Sequence, residues 1–322
     1  MKPTHLIAAA VGVALSATAA FADEWNMPVP YSDSVFHTQN IYKFAEDVEK
    51  STDGKLTIKV HSAGSLFKHP EIKNAVRSGQ VPVGEFLLSR LSNENPVFSV
   101  DTLPFLATSY DAAEKLWNVS RPKIEALLDQ QGLKVLYAVP WPPQGLYTKK
   151  DVNELADLKG LSFRAYNAGT EMLADKAGMA PTQVEAPDVP QAFATGRVDA
   201  MITSPSTGVS SKSWDFVTNY YDTQAWLPKN IVVVNKKSFR RLDKDVQEAV
   251  LAAAARAEKR GWEMSKAETS AKTKTLEEHG VKVSKPSPLL AEELNAIGQA
   301  MAAEWLKEAG KDGLEILRDF KG

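Results

Sequence analysis

Between Leu242 and His279 the chain runs without a proline, and a helix of that length constrains the fold more than any other stretch. Asp243 can cap its start, and Gly280 can stop it after the last turn. Roughly 36 residues at 1.5 Å each make a rod of about 50 Å, longer than a small domain is wide. A rod of that length ties two bodies together. Gly261 lies near its middle and marks either a bend or the break between two ordinary helices.

The rest of the chain alternates strand and helix. Trp25–Val29 reads as a first strand, and Val35–Thr52 carries Ile41, Phe44, Ala45 and Val48 as one helical stripe. Leu56–Val60 alternates as a strand, Glu71–Ser78 is a short helix ending at Gly79, and Val81–Leu88 is apolar enough for a buried strand. That order predicts a parallel sheet with helices on its faces. After the apolar patch Leu103–Leu106, Ser109–Gln131 spaces as one or two amphipathic helices, and Leu133–Val139 is a further strand. It runs into Pro140-Trp141-Pro142-Pro143-Gln144-Gly145, a stiff, extended segment suited to crossing between two lobes. The β-branched run Ile231–Val234 predicts the return crossing, and Ser287–Phe320 is a helical tail.

Asp157–Pro205 is the segment with the clearest chemistry. Lys159-Gly160 reads as a turn, and Leu161–Phe163 as a short strand ending on Arg164. Helices follow over Gly169–Gly178 and Pro187–Gly196, and Val198–Ile202 returns as a strand into Thr203-Ser204-Pro205. An arginine at a strand end stands where open α/β sheets bind ligands, and its guanidinium fork suits a carboxylate. The same residue could equally serve a structural ion pair. Glu85, an acid inside an apolar run, belongs to an exposed strand end or to a cleft. Trp141 is either hinge packing or a wall against a ligand.

Lys2 and His5 precede the apolar run Leu6–Ala20, which ends in Ala20-Phe21-Ala22. A basic start, a short apolar stretch and an Ala-x-Ala site describe a signal peptide over 1–22, cleaved near Ala22. The run is shorter than the roughly 20 residues of a membrane span. There are no cysteines, which removes disulfides and thiolate chemistry together, and the formal charge of −2 favours neither nucleic acid nor a membrane surface. The five histidines are scattered, and glycine-rich phosphate loops and a Gly-x-Ser-x-Gly elbow are missing. No cofactor is expected. Charge recognition without a nucleophile or metal points to binding, with a secreted hydrolase or lyase as the rival class.

Asp157-Leu158-Lys159-Gly160-Leu161-Ser162-Phe163-Arg164, Pro190–Ala200, Gly79–Glu85 before Leu103-Pro104-Phe105-Leu106, and Val232–Phe239 occur in an order that resembles the solute-binding proteins of tripartite ATP-independent periplasmic (TRAP) transporters. The resemblance covers essentially the whole mature chain. It implies an α/β, two-lobe periplasmic binding protein fold with a ligand cleft between lobes and a long helix spanning both. The lobes are expected over 23–141 with 230–269 and over 142–229 with 270–322. A periplasmic monomer would close on a small organic acid and deliver it to TRAP membrane permease subunits. Arg164 falls on the family's carboxylate-clamping arginine, Glu85 on an acidic pocket position, and Ser204 where many members have an asparagine touching the ligand. Many members carry a second arginine where this chain has Gln144, which favours a monocarboxylate over a dicarboxylate. Trp141, Tyr166, Trp214 and Trp226 lie near expected pocket segments, which suits an aromatic or moderately apolar acid. A cationic or zwitterionic amine held by Glu85 is the alternative.

Overall fold

The computed structural model describes residues 23–322; the expected signal peptide over 1–22 lies outside them. The first lobe begins with β1 (Asp23–Pro28), α1 (Phe36–Ser51), β2 (Leu56–His61), α2 (His69–Ser78) and β3 (Val83–Leu87). It continues with α3 (Tyr110–Gln130) and β4 (Leu133–Pro140). The chain then crosses into β5 (Gly145–Thr148), β6 (Ser162–Ala165), α4 (Ala168–Lys176), β7 (Ala180–Gln183), α5 (Val189–Ala194), β8 (Ala200–Thr203), α6 (Pro205–Ser210) and β9 (Asn219–Tyr221). It returns through β10 (Lys229–Asn235) and α7 (Lys236–Arg241), and ends with α8 (Lys244–Glu278), β11 (Lys282–Ser284) and α9 (Pro288–Lys321).

The parallel sheet expected for the first three strands forms only in part. β1 and β2 pair in parallel, whereas β3 pairs antiparallel with β10, which also pairs antiparallel with β4. β10 is apolar along its middle and satisfies β3 and β4 on both sides, so the returning chain becomes the centre of a three-stranded sheet. In the second lobe six strands run in the order β11-β9-β5-β8-β6-β7. β7 was not foreseen from the sequence: it holds Pro181 and sits at the sheet edge, where a missing donor is tolerated.

The segments joining the lobes run side by side. Trp141 N donates to Pro228 O at 2.8 Å, Gln144 N to Trp226 O at 3.0 Å, and Ala225 N to Gln144 O at 2.9 Å. The proline-rich crossing therefore has its backbone held by the return crossing.

α8 is one continuous helix of 35 residues. Its first half packs on α1 and β4 through Val250, Ala253 and Ala257, and the Ala257 carbonyl accepts Asn40 Nδ2 at 2.9 Å. Gly261 is no bend. A Cβ there would lie 2.4 Å from Val139 Cγ2 and 2.8 Å from Asn40 Nδ2, so glycine permits the close approach of helix and sheet. Beyond it, Glu268 accepts from Ser206 of α6 at 2.8 Å and Leu276 joins the core of the second lobe. The helix spans both lobes. α9, expected in the second lobe alone, also packs on both: Lys176 of α4 meets Glu304 at 2.7 Å, and Lys123 of α3 meets Asp312 and Glu315 at 2.7 Å.

Candidate functional site

A cavity lies between the lobes, and counted to its mouth it holds about 390 Å³ of empty space. Arg164, at the carboxyl end of β6, reaches its wall and is 3% exposed. Its Nε donates to Val184 O at 2.9 Å, and the guanidinium carbon lies 4.9 Å from the centre of the Tyr166 ring. Burial pulls its pKa down from the ordinary arginine value. An arginine nevertheless stays charged, and no carboxylate among the described residues forms an ion pair with it.

Gln144 and Tyr166 form a fixed pair on the cavity wall. Trp226 Nε1 donates to Tyr166 Oη at 3.1 Å, and Tyr166 Oη donates to Gln144 Oε1 at 3.3 Å. Gln144 Nε2 donates to Pro142 O at 2.8 Å, which sets the orientation of the amide. Trp141 also lines the cavity, with its Nε1 donating to Asn230 Oδ1 at 2.9 Å and its ring edge-on to Tyr31 at 5.0 Å.

A second charged group completes the cavity. Glu185, just after β7, receives Arg90 Nη1 at 2.9 Å from the first lobe. Its other oxygen stands 3.3 Å from His69 Nδ1. Leu87 N donates to His69 Nε2 at 3.0 Å, so that nitrogen must be the acceptor and Nδ1 carries the ring proton. Burial lowers the pKa of His69 below the ordinary histidine value, against the opposing pull of Glu185. Burial alone would raise Glu185, but the His69 hydrogen bond and the nearby Arg90 and Arg164 charges hold it below the usual carboxylate range. Arg90 Nη1 also donates to Tyr166 O at 3.2 Å, so this group bridges the two lobes at the cavity wall.

Four of the eight residues expected from sequence, Arg164, Gln144, Trp141 and Tyr166, come together here. The other four do not line this cavity. Glu85 is buried on β3, one strand repeat beyond the lining residue Leu87, with Oε1 3.5 Å from His37 Nδ1. Ser204 caps α6, its Oγ accepting Thr207 N at 3.1 Å, while its neighbours Thr203 and Thr207 line the cavity. Trp226 stands behind Tyr166 as its hydrogen-bond donor. Trp214 stacks on His279 at 3.9 Å, beside the end of α8. His69, Arg90 and Glu185 were missed because they sit in three separate loops or helix starts, with no spacing that relates them.

The comparisons with known proteins place the chain in a family. The sequence model of the bacterial extracellular solute-binding proteins, family 7, matches residues 29–311. A solute-binding protein of Albidiferax ferrireducens is 25% identical over 254 residues, covering 77% of this chain and 75% of its own length. The crystal structure of DctP7 from Bordetella pertussis, an extracytoplasmic solute receptor binding pyroglutamic acid, is 48% identical with a TM-score of 0.92, over 94% of this chain and 100% of that one. A marine metagenome TRAP solute-binding protein specific for pyroglutamate is 42% identical, also with a TM-score of 0.92, over 93% of this chain and 99% of that one. This chain is a member of the family-7 extracellular solute-binding proteins, the receptors of TRAP transporters.

Proposed function

We propose that this receptor works in the periplasm as a monomer, binds a small cyclic monocarboxylate of the pyroglutamate type by lobe closure, and hands it to a TRAP membrane permease. The observation that carries this reading is the buried guanidinium of Arg164, which has no carboxylate partner of its own. The cavity holds two guanidiniums against one carboxylate, a net single positive charge. A monoanion neutralises it, a dianion overshoots it, and an amine adds to it. Glu85, which an amine would need, is not among the lining residues. The rings of Tyr166, Trp141 and Tyr31 on the cavity wall offer flat surfaces for a small ring. Relatives at 42% and 48% identity that bind pyroglutamate support the same choice.

The test is a thermal-shift and calorimetric comparison of L-pyroglutamate, benzoate, succinate and an aromatic amine on the mature protein. Pyroglutamate at about 100 times its dissociation constant should stabilise the fold by about 2.7 kcal/mol and be recovered unchanged. A midpoint raised by benzoate, succinate or the amine instead would overturn the reading.

A further inference from the structure

Among the described residues the carboxylate of Glu185 is the one negative group on the cavity wall, and its two protein contacts leave part of its capacity unused. Oε1 accepts from Arg90 Nη1 and Oε2 from His69 Nδ1. An ionised carboxylate has about four acceptor positions and no donor. His69 cannot turn its proton elsewhere, because its other nitrogen is taken by Leu87 N. The remaining positions of Glu185 are therefore fixed acceptors. Glu185 also follows directly on Val184, whose carbonyl anchors Arg164 Nε at 2.9 Å, so acceptor and clamp are joined through one backbone turn.

Arg164 and Glu185 line the same small cavity, so an acid clamped by Arg164 has Glu185 in the wall around it. We infer that Glu185 is a specificity-determining residue that accepts a hydrogen bond from an N–H or O–H beside the ligand's carboxylate-bearing carbon. The receptor thereby selects small acids that carry such a donor over acids of the same shape without one. The ring N–H of a lactam acid meets this requirement, and a carbocyclic acid leaves a buried acceptor facing a methylene. This inference rests on the carboxylate clamp proposed above.

The discriminating pair is L-pyroglutamate and 3-oxocyclopentane-1-carboxylate, in which a methylene replaces the ring N–H. Calorimetry on the wild-type mature protein should give about 10- to 150-fold tighter binding of pyroglutamate, the range for a hydrogen bond to a charged group. Glu185→Leu should bring the ratio to within about threefold. Loss of the interlobe contacts alone would weaken both acids alike and leave the ratio where it was. If Glu185→Leu is too unstable to bind, Glu185→Gln serves, and its ratio should fall severalfold because a neutral acceptor is weaker. Equal binding of the two acids by wild type, or a ratio unmoved in both variants, overturns the inference and leaves the clamp standing. Binding of neither acid overturns the clamp reading and this inference with it.

Discussion

Two buried cations sit near the crossings, and they are treated differently. Lys229 opens β10 on the return crossing, 1% exposed, and both its backbone N and its Nζ face Asp101 Oδ2, at 2.8 and 3.7 Å. Burial lowers the lysine's pKa and raises the aspartate's, and each charge opposes the shift of the other. Arg164, nearly as deeply buried, has a carbonyl and an aromatic face and, among the described residues, no acid in ion-pair contact; Glu185 acts on it only from a distance. The chain pairs one cation directly with an acid and leaves the other without an ion-pair partner among the described residues. A buried charge without an ion-pair partner carries a desolvation cost. In the function proposed above, an anionic ligand removes that cost when the lobes close on it, and such differential affinity is what shifts an open–closed equilibrium.

The comparison can be broken from either side. Lys229→Met should destabilise the protein by roughly 3–5 kcal/mol in denaturant unfolding, because Asp101 is left buried and uncompensated. Adding Asp101→Asn should recover most of that loss, and its failure to do so would mean that the pair is not the source. Arg164→Met should behave in the opposite way. Ligand affinity should fall by roughly 2–4 kcal/mol in calorimetry, while the unliganded protein melts at the same temperature or higher. A destabilised ligand-free Arg164→Met would mean that Arg164 holds the fold together, as Lys229 does.

The legible part of this molecule was local. Helical stripes, the proline-free rod, the crossing at Pro140–Gly145 and the arginine at the end of β6 are each set by residues close in sequence, and all stand in the structure as elements near their expected bounds. What was not legible depends on distant pairing. β3 finds its partner in β10, almost half the chain away, so the parallel arrangement suggested by the first strands could not be checked locally. The same holds at the site. An aromatic near a pocket segment has no direction in a sequence, so Trp214 and Trp141 looked alike. Glu85 stands one strand repeat from the lining residue Leu87 and turns its carboxylate to His37, a placement that an apolar run does not record. Glu185, His69 and Arg90 acquire meaning only when two lobes meet.

His69 gives the smallest effect and the sharpest view of how the cavity's acid is held. Its ring is kept neutral by burial, with Glu185, Arg90 and Glu85 as the charges facing it. Protonation would place a proton on the nitrogen that accepts Leu87 N, so the folded state resists it. Between the lowered folded value and the ordinary value of 6.5 the unfolded chain binds a proton that the folded chain does not. Stability is therefore complete above about 6.5 and falls as the pH drops through that window, by at most about 1.4 kcal/mol per unit. Glu185 contributes in the same direction only below its ordinary value of 4.5, and Asp101, raised by burial, contributes in the opposite direction. His69→Gln keeps an acceptor for Leu87 N without a titrating ring. Urea unfolding at pH 7.5, 6.5 and 5.5 should show wild type losing more stability on acidification than His69→Gln, with Asp101 acting alike in both. Parallel pH profiles for the two proteins would mean that the folded state does not hold the His69 ring neutral.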